Sequence, residues 1–275
     1  MFPICFHVLE DPDAPTSFLA MQDTKHEGER TKPMGWLPAG SEVAVIGAQG
    51  GIGRALVSRL SQHPAISTLH AFARRPDEVS AGQKIAPVPM DLTDEASIEA
   101  AARKLNAPRL VIVASGILHD ATHRPEKSWR ELDADWLEKA MRINAFGPAL
   151  IAKHFLPKLP RDGKSVFAVL SARVGSIGDN HLGGWYGYRA SKAALNMLVK
   201  TLSIELGRTH PHACALCLHP GTVDTALSGP FQRGVPDDRL FTPGYSAEAL
   251  LRVIDDADAS MSGGFLAWDG QPIPY

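Results

Sequence analysis

The chain has 275 residues, 28 Lys and Arg against 30 Asp and Glu, a formal charge of −2 and 44% apolar residues. That length suits one large α/β domain or two small ones, and the near-balanced charge excludes an electrostatic grip on nucleic acid or on an anionic membrane surface. Its three cysteines, Cys5, Cys214 and Cys217, exclude a disulfide framework and fit a reducing compartment, and no stretch approaches the ~20 apolar residues of a membrane span.

Residues 1–40 are rich in Pro, Asp, Glu and Lys and show no sustained period. They read as an extension, partly disordered, ahead of a single domain over 41–275. The start of the chain has neither a basic leader nor a long apolar core, so a cytoplasmic location is expected. The segment 42–46 is an apolar strand. Over 51–62, Ile52, Leu56 and Leu60 share one side of a predicted helix. Strands follow at 68–73 and 85–90, then an alanine-rich helix at 94–105. RLVIVAS makes 109–114 a uniformly apolar strand. A long helix is predicted over 135–155 and a strand over 165–170. A second long helix over 188–207 is striped by Leu195, Leu198, Val199, Leu202 and Leu206. Within the strand 214–218, Cys214 and Cys217 point to opposite faces, which suits core packing and neither a disulfide nor a shared metal. A helix over 246–255 and a strand over 264–268 complete the series. Near-continuous apolar strands alternating with helices predict an α/β fold: a doubly wound parallel sheet of about seven strands with helices on both faces and right-handed crossovers. Such a sheet binds ligands at the carboxyl ends of its strands, near the point where strand order reverses.

The first strand runs into VAVIGAQGGIGRAL, which carries Gly47, Gly51 and Gly53 with Ile52 between the last two. Gly47 permits a tight turn, Gly51 lets backbone approach a pyrophosphate, and Gly53 allows close packing of helix on sheet. The helix start then offers free N–H groups and a positive dipole end to phosphate. A glycine-rich turn without a ligand is the plainer alternative. The second strand ends in HAFARRP, where an acid would bind the ribose hydroxyls of NAD; Arg74 and Arg75 stand there instead. A guanidinium pairs well with a 2′-phosphate, so NADP(H) is expected, with NAD(H) as the alternative. After the third strand Asp91, followed by Leu92, is placed to reach the adenine amino group, or else serves as a turn or N-cap aspartate. After the fourth, Ala114, Ser115 and Gly116 leave room for cofactor against backbone.

In GGWYGYRASKAALNML, Tyr188 and Lys192 are four apart at the start of a helix and share one face. Four residues beyond Tyr186 stands Ala190, so spacing singles out Tyr188. Reducing a ketone needs a hydride at carbon and a proton at oxygen, and a free phenol with a pKa near ~10 shares its proton poorly at neutral pH. An ammonium at ~4 Å, in an effective dielectric of ~20, attracts phenolate by about 4 kcal/mol, roughly three pKa units.

G47-A-Q-G-G-I-G53, the strand ending at Ser171, Y188-R-A-S-K192 and H-P-G-T-V-D-T225, in that order and spacing, resemble the short-chain dehydrogenase/reductase family over about residues 41–275. SARVGSIGDN, YRASKAALN and GFLAWDGQPIPY are most similar to its C-factor and sniffer-like carbonyl reductase branch. The resemblance implies a Rossmann-type fold and a Ser-Tyr-Lys centre assisted by Asn. Tyr188 would be the general acid/base and Lys192 would lower its pKa and bind ribose. Asn144, in RINAFGP, would help hold a water relay, its plainer role being to satisfy helix backbone. Pro220, Gly221, Val223 and Thr225 would contact the nicotinamide end. Two positions depart from the family pattern: Ile46 replaces the usual Thr, and A-S-G replaces N-A-G. The serine register is ambiguous. Matching from the strand side selects Ser171, matching back from Gly175 selects Ala172, and Ser176 is a further candidate; strand ends place side chains into this cleft, which favours Ser171.

The reading is an NADP(H)-dependent oxidoreductase acting on a small carbonyl or alcohol, without a metal. Its rivals are a cofactor-binding regulatory or signalling protein with weak or no catalysis, and a sugar-nucleotide epimerase, for which the chain after the sixth strand is short. The substrate wall is expected at 118–129, 180–185 and 227–240. The resemblance implies a homodimer or homotetramer formed through the two long helices.

Overall fold

The computed structural model describes residues 34–275, so most of the expected N-terminal extension lies outside the described residues. In chain order the elements are β1 (Ser41–Ile46), α1 (Gly51–Ser61), β2 (Ile66–Ala73), β3 (Ile85–Pro89), α2 (Glu95–Ala102), β4 (Pro108–Val113), α3 (Ala134–Met141), α4 (Gly147–Phe155), β5 (Ser165–Leu170), α5 (Tyr186–Thr209), β6 (Ala213–His219), β7 (Thr222–Val223), β8 (Leu240–Phe241), α6 (Pro243–Asp256) and β9 (Phe265–Ala267).

Seven strands form one sheet in the order β3-β2-β1-β4-β5-β6-β9, every pair parallel. Strand order reverses between β1 and β4, and the carboxyl ends of those strands open the crevice that a doubly wound sheet offers to ligands. The strands are apolar on both sides because both sides are covered. Leu56 and Leu60 of α1 and Leu250 and Ile254 of α6 cover one face; Ile98, Ile151, Phe155, Leu195 and Val199 of α2, α4 and α5 cover the other. Cys214 packs into the first layer and Cys217 into the second, and both thiols are free, as strand alternation requires.

Three features differ from the sequence expectation. Packed structure begins before Ser41: Met34 and Leu37 are buried in the α1–α6 layer. The helix expected over 135–155 is two α-helices joined by a π-helical turn at Arg142–Phe146, in which Gly147 N–H reaches back five residues to Arg142 O. Pro148 has no N–H to give the Asn144 carbonyl four residues earlier, which disfavours regular α-helix here. The β7–β8 ribbon is two residues per strand, too short to show alternation in the sequence.

Candidate active site

The glycine turn packs as tightly as its spacing suggests. Gly47 has φ +79°, and a Cβ there would lie 3.0 Å from the backbone of Ala114 and Ser115. A Cβ on Gly53 would stand 2.1 Å from Gly47 O, so only glycine lets α1 start this close to β1. Gly51 makes room for a side chain of this chain: its Cβ would meet the Thr225 methyl at 2.6 Å. The start of α1 has no side-chain cap and no acidic residue in its first turn, which leaves N–H groups and a positive dipole end to an anion. Ser115 Oγ is buried with no hydrogen-bond partner among the described residues. A tight backbone cradle, an uncapped helix start and an unpaired hydroxyl beside it fit a dinucleotide.

Around the expected adenosine end the picture is mixed. Asp91 Oδ1 accepts from the Thr93 N–H at 2.9 Å and the Thr93 hydroxyl at 2.7 Å. That turn, with help from Arg74, holds its carboxyl below the usual range against the opposing effect of burial. Asp91 thus makes the turn bonds of the plainer of its two expected roles. Leu92 packs its Cδ1 where a Cβ on Gly147 would fall, 2.3 Å away. Arg75 is tied to Glu78 at 2.6 Å, and Glu78 also accepts from Gln49 Nε2 at 2.8 Å. Arg74 is exposed beside Asp91.

At the other end lies a cavity of about 480 Å³, lined among others by Ile52, Ser171, Tyr188, Pro220, Val223 and Thr225. Each polar side chain is set by the element that carries it. Ser171 directly follows β5; its N–H donates to Leu218 O at 2.8 Å and its hydroxyl to Asn196 Oδ1 at 2.7 Å. Ala172 also lines the cavity. Ser176 does not; it is buried and caps Asp179 N–H at 3.0 Å. The structure therefore brings Ser171, not Ser176, to the same space as Tyr188. Lys192 is buried and donates to Leu170 O at 2.7 Å. Asn144, on the π-turn, accepts from Ile117 N–H at 2.8 Å and donates to Ile117 O at 2.8 Å and Ser191 Oγ at 3.0 Å. It joins the segment after β4 to α5, more than the service to its own helix that the plainer reading gave it. Gly116 lies against this pair: a Cβ there would be 3.3 Å from Asn144 Oδ1 and 3.6 Å from Lys192 Nζ.

The electrostatics differ from the simple expectation. Lys192 Nζ stands 5.8 Å from the centre of the Tyr188 ring, one helical turn along α5. Burial dominates both groups, pushing the Tyr188 phenol well above its ordinary value and Lys192 down to about 8. Tyr188 keeps some surface toward the cavity, but its surroundings withhold solvation from a phenolate. His219, at the end of β6, is pushed down to about 4 by burial and the nearby Arg173 charge.

Sequence reasoning missed Asn196, which holds Ser171, and Ser191, which links Asn144 to the Tyr188 carbonyl at 2.9 Å. Spacing puts Asn196 on the Lys192 face of α5, four residues on, but does not give its partner on the segment after β5. From the segments expected to form the substrate wall, Leu118, His181, Trp185 and Phe231 line the cavity, with Trp185 and Phe231 edge to face at 5.4 Å between centroids. Among the described residues no group of three His, Cys, Asp or Glu could hold a metal ion, and no helix is long and apolar enough to cross a membrane.

Residues 41–235 match the family described as short chain dehydrogenase. The 1-hydroxy-2-glutathionyl-2-methyl-3-butene dehydrogenase of Rhodococcus sp. (strain AD45) is 31% identical over 236 residues, 84% of this chain and 97% of that protein. The C-signal protein of Myxococcus xanthus is 38% identical over 145 residues, 52% of this chain and 82% of its own. The NADPH-bound carbonyl reductase from chicken fatty liver superposes with a TM-score of 0.76 at 28% identity, covering 86% of this chain and 95% of that one. With the family match spanning residues 41–235 and the seven-stranded parallel sheet superposing on known carbonyl reductase structure, the chain belongs to the short-chain dehydrogenase/reductase family of oxidoreductases.

Proposed function

We propose that the chain is an NADP(H)-dependent reductase of small carbonyl compounds, or the corresponding alcohol dehydrogenase, with Tyr188 as proton donor and acceptor. The observation that carries this reading is the convergence of Tyr188 and Ser171 on one cavity, with Lys192 buried against the same helix face. Gly47, Gly51, Ile52 and Gly53 would hold the pyrophosphate, Ala114, Ser115, Gly116 and Lys192 the nicotinamide ribose, and Pro220, Gly221, Val223 and Thr225 the nicotinamide end. Asp91 and Leu92 would border the adenine. Bound there, the dinucleotide supplies the hydride.

The protein's own part is the proton. Burial keeps the Tyr188 phenol protonated, the form that can donate to a carbonyl oxygen. Lys192, charged below about pH 8, has three donors and gives one to Leu170 O; its charge offsets the phenolate that forms as the proton leaves. Ser171, whose O–H donates to Asn196 in this structure, can turn that O–H to the substrate oxygen at the cavity wall. Arg74 and Arg75 support a preference for a 2′-phosphate, and chicken carbonyl reductase, a structural neighbour, carries NADPH. The test is Tyr188→Phe: turnover of aldehydes and ketones should be lost while NADPH binding, read by fluorescence titration, is kept. Full activity in that variant would sink the proposal.

The similarity to C-signal favours a second reading, a cofactor-binding signalling protein with weak or no catalysis. Purified protein that binds NADPH but reduces nothing in a broad carbonyl panel would establish it. Exposed Phe146, Met197 and Ile204 on the π-turn and α5 support self-association through these helices as a homodimer or homotetramer, which sedimentation velocity would read directly.

A further inference from the structure

Helix α5 carries Tyr188 in its first turn, and its start is held from outside. Gly183, Gly184 and Trp185 are all left-handed, with φ of +64°, +65° and +52°. Trp185 is the N-cap and makes no side-chain cap bond. A tryptophan in that region persists only where the surroundings impose it. Glu126, in the loop between β4 and α3, imposes it. Its backbone oxygen accepts the Trp185 N–H at 2.5 Å. Its carboxylate accepts the Gly187 N–H at 3.1 and 3.3 Å, filling the capping role that Trp185 cannot. Glu126 is only 3% exposed, a rare burial for a carboxylate, and a helix N-terminus is a favourable place for one.

The local sequence is fitted to this insertion. A Cβ on Gly184 would stand 3.3 Å from Glu126 O, and one on Gly187 would stand 3.0 Å from Glu126 Oε1. The two residues that Glu126 grips flank the site: Trp185 lines the cavity, and Tyr188 follows Gly187 directly. Ser171 is anchored away from the first turn of α5, by Leu218 of β6 and by Asn196 further along the helix. A shift in the first turn of α5 would therefore move the phenol and the indole relative to a fixed serine.

We propose that Glu126 is a positioning residue for the reaction, setting where Tyr188 and Trp185 stand in the cavity through its grip on the backbone of Trp185 and Gly187. The inference rests on the reading of Tyr188 as proton donor. Its test compares Glu126→Ala and Glu126→Gln with wild type, using NADPH and whichever of 4-nitrobenzaldehyde, acetophenone and cyclohexanone wild type reduces fastest. Glu126→Ala should lower kcat about 20-fold and raise the carbonyl KM several-fold, the scale of an ångström-sized misplacement. NADPH affinity should stay within about twofold, because the residues proposed to hold phosphate and ribose lie outside the first turn of α5. Glu126→Gln keeps an acceptor for the Gly187 N–H and should restore kcat to within about threefold of wild type. Hydrogen exchange should be at least about tenfold faster over residues 183–189 in Glu126→Ala, with β4 and β5 unchanged. Should Glu126→Ala not fold, Glu126→Asp draws the acceptor back by one methylene and should lose about fivefold in kcat at unchanged NADPH affinity. A kcat/KM within about twofold of wild type in Glu126→Ala, a Gln variant as impaired as Ala, or equal losses of NADPH affinity and kcat would each overturn the proposal. Exchange is read without turnover, so a wild-type protein that reduces nothing fails the functional reading while the exchange contrast still judges Glu126.

Discussion

The two helices that frame the site, α1 and α5, both begin without a side-chain cap of their own, yet their first turns are completed in opposite ways. Into the start of α5 the protein inserts its own buried carboxylate, Glu126. At the start of α1 it inserts none: the N-cap is Gly50 and the first turn holds no acid. A helix N-terminus favours an anion in either case. Where the chain supplies its own carboxylate, the end is fixed, as the proposed role of Tyr188 requires. Where it does not, the end is open to an anion such as a phosphate. On the proposed function, the difference separates a catalytic wall from a binding wall.

The sharpest way to break this division is at the fixed wall. Removing the phenol hydroxyl in Tyr188→Phe should lower kcat by 10²–10⁴-fold, roughly the contribution of a positioned general acid, while α1 still binds NADPH. At the binding wall the opposite pattern is expected. In Gly53→Ala a methyl would be driven toward Gly47 O, 2.1 Å away, so the turn must open. That should cost about 2–3 kcal/mol of stability, the scale of overpacking, and weaken NADPH binding more than it changes kcat at saturation. Thermal unfolding with and without NADPH separates the two: the variant should melt lower and gain less from the ligand.

Lys192 belongs to both walls, and pH tests it. Its folded pKa of about 8 lies below its ordinary 10.5. Below about pH 8 both folded and unfolded chains hold its proton, and the burial cost is constant. Between about 8 and 10.5 the unfolded chain still holds the proton that the folded chain has released, so this group's contribution to stability rises with pH. Relative to Lys192→Met, wild type should gain about 2–3 kcal/mol between pH 8 and 10, at ~1.4 kcal/mol per unit. Activity should move the other way: kcat/KM for reduction should fall above about pH 8 as the ammonium is lost. Denaturant melts and a pH–rate profile read the two trends.

What the sequence made legible was whatever depends on local period. The glycine spacing, the apolar strands and the one-turn distance between Tyr188 and Lys192 all survive in the structure. What it hid depends on contacts between distant segments. Glu126 and Gly187 are sixty-one residues apart, and Ser171 and Asn196 are twenty-five; no pattern within either segment announces the other. The π-turn at Asn144 was masked by continuous helical periodicity on both sides, although Pro148 marked the missing donor. Sequence spacing gives Tyr188 a helical neighbour in Lys192, but it does not give the burial that acts on both groups or the Leu170 carbonyl that takes one ammonium hydrogen.

The smallest effect lies at the far end of the binding wall, where sequence alone treated Arg74 and Arg75 as equivalent. Arg75 is tied to Glu78 at 2.6 Å, and Glu78 is held in turn by Gln49 of the glycine turn. Both groups of the ion pair are partly exposed, so the pair itself adds little stability, but the carboxylate competes with a 2′-phosphate for the Arg75 guanidinium. Arg74 is exposed beside Asp91, whose Oδ1 is already committed to Thr93. Arg74 should therefore carry more of the NADPH preference. Arg74→Ala should reduce the NADPH to NADH ratio of kcat/KM by about tenfold, the worth of one charge-assisted hydrogen bond at a wet surface, and Arg75→Ala by about threefold. Glu78→Gln should raise the ratio by about twofold, by freeing Arg75. Equal losses for the two arginines would show that the phosphate displaces Glu78 when it binds, and that the ion pair is a placeholder in the same sense that an uncapped helix start is one.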